Sequence, residues 1–532
     1  MTDKTMPTHL SKRLLCLVKT AVLGAALFQL APVLAAGKDR GMHAQAGGVA
    51  WVAGESETAV DAAFAQASVA SKPLLLYWGA AWCPPCNQLK ATLFNRQDFV
   101  ALTRAVVPVY LDGDMPGAQK LGSRFKVVGY PTLILFAPNG TEITRLPGEA
   151  DATRVIGALQ AGLAGGRPAR AVLADAQAGK TLSASEWLAL AFYSWDTDEA
   201  QLVPREQRAA VLGDLAQRSL AASPEASTRL WLKSLKAREA DPAANIAKAP
   251  PELRERLLNV LRNPDATRLH ADILIEGAKP IVRALGEAAD AARTQLVNDY
   301  EAALIRLQRD PQLSRADRTG ALNARVDLAR LDIPDKTVHV SLPAPLLAEV
   351  RAMARRMDVE IRNGYERQAV ITSVAHLLGE AGLWQESDAL LLANLKKSHS
   401  PYYLMSKLGV NALKRGRTAD AFNWLERAYQ TSQGPATRLQ WGADYVGVLV
   451  DLAPQDGARI EKAAMNIFAE AAKDTGAFYE RSGRSLKRVI DKLAVWNEMA
   501  EHATEIGRLR ARFGDVCRGI AAADPRRTLC EA

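Results

Sequence analysis

The chain has 532 residues, 48% of them apolar and 23% charged, enough for two to four folded units with ordinary cores. That composition excludes wholesale disorder, a collagen-like repeat and a multi-span membrane protein. Five cysteines are too few for a disulfide-stapled miniprotein, and the seven histidines are scattered with no pair at metal-ligand spacing, so no metal cofactor is expected.

Lys12 and Arg13 precede an apolar stretch over 14–34 that runs into Val33-Leu34-Ala35-Ala36. A basic start, an apolar middle and a small-residue end are the order of a secretory signal. We read 1–36 as a signal peptide cleaved near Ala35 or Ala36, and 37–48 as a linker. The rival is a membrane anchor. Lys19 leaves only 20–36 uninterrupted, with Gln29 and Pro32 inside it, short of the roughly 20 apolar residues that span a bilayer core. The expected location is therefore periplasmic or secreted. Loss of 1–36 removes Lys4, Lys12, Arg13 and Lys19 against Asp3, which takes the formal +9 to about +6. The remaining charges interleave, as in Glu252-Leu-Arg-Glu-Arg, so they read as solvated helix faces and nucleic acid is not an expected partner.

Leu74-Leu75-Leu76-Tyr77-Trp78 reads as a buried strand and leads through Gly79 into Trp82-Cys83-Pro84-Pro85-Cys86. Leu89 and Leu93 stand four apart behind it, as on one helix face. A second strand, 106–111, ends at Asp112-Gly113-Asp114. A short helix over 117–125 then leads to Gly129-Tyr130-Pro131, a strand over 132–136, the turn Pro138-Asn139-Gly140 and a strand over 141–145. A last helix covers 151–163, with Asp151 as N-cap. Residues 49–162 thus describe an α/β sheet covered on both faces.

A strand, Trp-Cys-Pro-Pro-Cys and a helix, followed by Gly-Tyr-Pro-Thr before another strand, resemble the thioredoxin-like superfamily. The stretch from Cys86 to Phe94 is most similar to the thioredoxin-like domains of thiol:disulfide interchange proteins. The resemblance implies a redox-active Cys83–Cys86 disulfide and no other cofactor. Cys83 is the expected nucleophile, its thiolate favoured at a helix start, and Cys86 the resolving thiol. The resemblance also implies a substrate-binding edge of Trp82, Tyr130, Pro131 and Thr132, with Pro131 in the cis form. Half a zinc site or an inert structural bond are the other readings of the two cysteines, and a plain turn is the other reading of Pro131. Two positions depart from the family. Tyr77 stands where a buried carboxylate is usual, and Pro108 where its basic partner is usual. Pro84 also lacks an N–H to offer the Cys83 sulfur. These departures point to a poise on the reducing or interchange side. Expected partners are cysteine-containing exported proteins, with a membrane thiol reductase as donor on the resemblance alone.

Gly162, Gly165, Gly166 and Pro168 mark 163–182 as a linker. Helix formers dominate from there, with a helical domain over 183–333 and a second over 344–532. Gly382 and Gly416 are 34 apart, as are Pro401 and Pro435, which resembles a tetratricopeptide-like helical hairpin repeated over about 368–435. Such a stack is expected either to bind a protein partner or to serve as a passive scaffold. Cys517 and Cys530 close a short C-terminal loop. A structural disulfide is the favoured reading, with a second exchanging redox pair or free thiols as the alternatives. These features together are expected of an exported thiol–disulfide oxidoreductase; the alternative is an interaction or redox-sensing protein built on the same parts.

Overall fold

The computed structural model describes residues 48–148, 152–198, 201–238, 251–286, 290–334, 336–498, 501–521 and 524–530. The signal peptide expected over 1–36, all but Gly48 of the linker expected over 37–48, and the Asp151 cap lie outside the described residues.

Five strands, β1 (Val52–Ala53), β2 (Leu74–Gly79), β3 (Val107–Asp112), β4 (Thr132–Phe136) and β5 (Glu142–Pro147), form one sheet in the order β1-β3-β2-β4-β5. β1, β3 and β2 are parallel, while β4 runs antiparallel to β2 and β5 antiparallel to β4. Central β2 is buried along its whole length because both faces are covered. Leu74, Leu76 and Trp78 point to a layer containing α1 (Glu57–Val69) and, further along the chain, the helix Ala118–Arg124. Leu75 and Tyr77 point the other way, onto α2 (Pro84–Ala91), the helix Gln97–Thr103 and the helix Ala152–Leu163.

The remainder is helical. Ala169–Gln177, inside the stretch read as a linker, is itself a helix whose Val172, Leu173 and Ala176 are buried. The Gly165 turn ends one helix and Pro168 opens the next, so the punctuation marks a joint between helices instead of a free tether. Among the described residues of 332–343 there is no helix, but the two helical cores meet at Arg315–Ala329, which gives Ala321, Ala324 and Leu328 to one and Leu322 and Val326 to the other.

Paired helices follow at Gly364–Glu380 with Trp384–Asn394, and at Pro401–Lys414 with Thr418–Thr431. Gly382 and Gly416 take positive φ of 77° and 69° in the turns between partners, where a side chain would be strained, and Pro401 opens a helix. Leu404, Leu408, Ala412, Ala421, Leu425 and Ala428 are buried between the helices. Pro435–Leu452, Gly457–Ala471, Glu480–Trp496 and Ala503–Cys517 complete the body. Cys517 is bonded to Cys530, with Cα atoms 5.9 Å apart. Among the described residues no helix is long and apolar enough to cross a membrane.

Candidate functional site

Cys83 is the N-cap of α2, and its Sγ accepts a hydrogen bond of 3.2 Å from the Cys86 N–H. Pro84 and Pro85 carry no N–H, so Cys86 supplies the first free backbone donor of this helix, and it points at the sulfur. Cys83 and Cys86 are joined in a disulfide with Cα atoms 5.2 Å apart. Cys86 is fully buried and Cys83 only 3% exposed. Asn87 fixes the loop: its Nδ2 donates to the carbonyls of Ala81 and Cys83, both at 2.8 Å.

The Tyr130–Pro131 bond is cis. Thr132 begins β4 opposite Trp78, and its Oγ1 donates to the Gly129 carbonyl. Gly148 follows β5 so close to this turn that a Cβ there would lie 2.0 Å from Pro131. Tyr130 stacks on Trp78 with ring centres 5.6 Å apart and meets Trp82 edge-on at 6.1 Å. The structure therefore brings Trp82, Tyr130, Pro131 and Thr132 to the sheet end that carries the cysteines.

Tyr77 lies beneath this site, stacked on Tyr110, and its hydroxyl has no hydrogen-bond partner. Burial first and Asp112 second hold its pKa well above the ordinary phenol value, so it stays neutral and cannot replace a carboxylate as a base. Lys90, one turn beyond Cys86, is buried on α2 with no signal in the sequence to mark it. Its ammonium lies 5.5 Å from the Tyr110 ring and 5.4 Å from that of Tyr365, and burial lowers its pKa while Asp112 partly offsets that. Among the described residues no group of three or more His, Cys, Asp or Glu could hold a metal ion.

The largest departure from expectation is what covers the redox loop. Trp82 stacks on Tyr403 at 5.6 Å and meets Trp441 edge-on at 5.2 Å, both from the helical body. Its indole N–H donates to Asp114 at 2.7 Å. Asp114 also accepts from Thr437 at 2.7 Å and pairs with Arg481, whose guanidinium lies 5.2 Å over Trp82 and 5.3 Å over Tyr130. Burial opposes the Arg481 charge, but Asp114 and its neighbours more than offset this and hold the pKa above the ordinary guanidinium value. Gln368 donates to the Trp82 carbonyl at 3.2 Å and His399 bonds the Ala81 carbonyl at 3.0 Å. Trp441 is buried in a core shared between the body and the redox domain.

Sheet, cis-proline turn and a disulfide capping a helix define residues 52–163 as a thioredoxin-like domain suited to thiol–disulfide exchange. Consistently, residues 60–163 match the model of the thioredoxin-like domain family. Thiol:disulfide interchange protein DsbD 1 of Pseudomonas aeruginosa is similar to this chain, 33% identical over 101 residues, which are 18% of this chain and 16% of that protein. The alignment thus spans about a sixth of the relative's length.

Proposed function

We propose that the protein is an exported thiol–disulfide oxidoreductase acting on cysteines of other exported proteins through Cys83-Pro-Pro-Cys86, on the reducing or interchange side. The observation that carries this reading is a single sulfur, Cys83, placed at a helix N-terminus and aimed at by the Cys86 N–H. In the oxidising half-reaction a substrate thiolate attacks Cys83 Sγ, the Cys83–Cys86 bond breaks, and the Cys86 sulfur leaves with the electron pair and takes up a proton. The second substrate thiol, losing its own proton, attacks the mixed disulfide and releases Cys83. Substrate loses two electrons and two protons, and the enzyme gains them; reduction of a substrate disulfide is the reverse. Trp82, Tyr130, Pro131 and Thr132 form the substrate edge in this reading, and a membrane thiol reductase would close the cycle. Cys517–Cys530 is assigned to anchoring the tail.

The consequence to test is trapping. Cys86→Ala should leave exported partners captured on Cys83 in mixed disulfides that vanish when Cys83 is also removed. A chain that retained the same partners with both cysteines gone would be an interaction protein. That second reading is favoured by one observation, the coverage of Trp82 by Tyr403, Trp441 and Arg481.

A further inference from the structure

Cys83 is closed on the Trp82 side by Tyr403, Trp441 and Arg481. On its other side the α2 start does not pack solidly. Pro84, Pro85 and Gly148 border a cavity of about 890 Å³ that reaches across to the helices Ala271–Glu276 and Arg315–Ala329 of the body. Neither cysteine is among its lining residues; it borders the redox loop through Pro84 and Pro85. Its size is that of a pocket for a small ligand, whereas even a small folded domain has a radius of gyration near 13 Å. Its floor is apolar, with Leu89, Leu93, Phe192 and Ile275. All four of its arginines are paired with carboxylates: Arg96 with Asp98, Arg154 with Glu225, Arg229 with Asp272 and Arg268 with Asp310. An uncharged, slender occupant therefore suits it better than a charged one.

We infer that this cavity is the substrate chamber of Cys83 and that the docked helical body selects substrates by shape: thiols or disulfides on small molecules or on extended, uncharged peptide segments. The inference rests on the redox reading above, adds the class of substrate, and moves substrate entry from the covered Trp82–Tyr130 edge to the Pro84, Pro85 and Gly148 side, because none of Trp82, Tyr130, Pro131 and Thr132 lines the cavity. The exchange step is the one already written, with the Cys83–Cys86 disulfide as oxidant and a dithiol in the chamber as reductant.

The test follows reduction of Cys83–Cys86 in the full chain, read by alkylation and mass mapping, with three dithiols. These are dithiothreitol, an unstructured uncharged peptide with two cysteines, and a folded protein with a surface dithiol. Dithiothreitol and the peptide should both react, and the folded protein should be slower than the peptide by roughly 100-fold, two decades in the opening equilibrium it must await. Ser373→Trp, and independently Ala316→Phe, both on the chamber wall, should slow the peptide about tenfold and dithiothreitol less. A folded protein that reacts as fast as the peptide, or wall variants that slow both small reagents equally, would overturn the chamber and leave the redox reading standing. Failure of dithiothreitol itself to reduce the pair in the native chain would instead overturn the redox reading, and the chamber with it.

Discussion

Arg481→Ala isolates the contact that holds the body over the redox loop. Arg481 and Asp114 are 13% and 10% exposed at their side chains, so deletion of the cation strands a carboxylate that is largely removed from water. Breaking a buried pair from one side typically costs 3–5 kcal/mol, because the remaining charge is left uncompensated. The undocked state hydrates Asp114 and escapes that cost. At 1.4 kcal/mol per tenfold, the undocked population should rise by roughly 10²-fold to 4 × 10³-fold. The assay compares alkylation of Cys83 in the reduced chain by N-ethylmaleimide and by a maleimide carrying a long polyethylene glycol chain. In the wild type the bulky reagent should lag far behind, since Cys83 is 3% exposed; in Arg481→Ala the two rates should converge. Gly434→Ala attacks the same contact without changing charge. Gly434 has φ of 81°, and a Cβ there would lie 2.4 Å from that of Asp114. Replacing both charges, Arg481→Met with Asp114→Leu, should restore the lag. If Arg481→Ala and Gly434→Ala both leave the ratio of rates unchanged, the closed arrangement is not what limits access to Cys83.

Two further outcomes follow from buried groups away from the redox pair. His270 is 2% exposed, and burial first and Arg229 second push its imidazole down to about 4 from 6.5. The unfolded chain takes up that proton first as pH falls, so His270 contributes stability that is present above about pH 6.5 and lost toward pH 4. Between about pH 7.5 and 4.5 the loss should be about 2.5 kcal/mol, and chemical denaturation of His270→Gln should lack that part of the pH dependence; an unaltered pH profile would refute it. Replacing Cys517 and Cys530 together by Ser should cost up to about 3 kcal/mol by freeing a short loop. Hydrogen exchange should place the loss in 518–530, where Arg526 still bonds Ser123 at 2.8 Å and lies over Tyr479 at 3.8 Å. An altered rate of Cys83–Cys86 reduction in that variant would mean that the two pairs exchange.

The thioredoxin-like part was legible because its signals are local. The strand, the cysteine cap, α2 and the Tyr130–Pro131 turn lie within about 60 residues, and each depends on nearby burial and backbone chemistry. Tyr77 was recognisable as a substitution for a carboxylate, but its orphaned hydroxyl needed the packing of Tyr110 above it. Lys90 gave no signal, since a lone lysine on a helix ordinarily faces solvent; only Tyr365, from a helix far along the chain, makes the second wall of its site. The helical hairpins were readable from Gly382, Gly416, Pro401 and Pro435, whereas the face they present was not. Docking residues such as Gln368, Tyr403 and Trp441 satisfy the same helical periodicity whether a partner covers them or another helix does.

That ambiguity changes what the repeat-like body is for. A stack of helical hairpins exposes a surface that a second molecule can fill, but here Gln368, His399, Tyr403, Thr437, Trp441 and Arg481 spend that surface on the chain's own redox loop. Any foreign protein binding at those residues competes with the first domain, so its affinity is reduced by the free energy of the internal contact. The same competition runs in reverse: a partner that takes the body's surface uncovers Trp82 and Cys83. Recognition by the helices and exposure of the disulfide are thereby one equilibrium, and a ligand can drive it only as far as its preference for the undocked state allows.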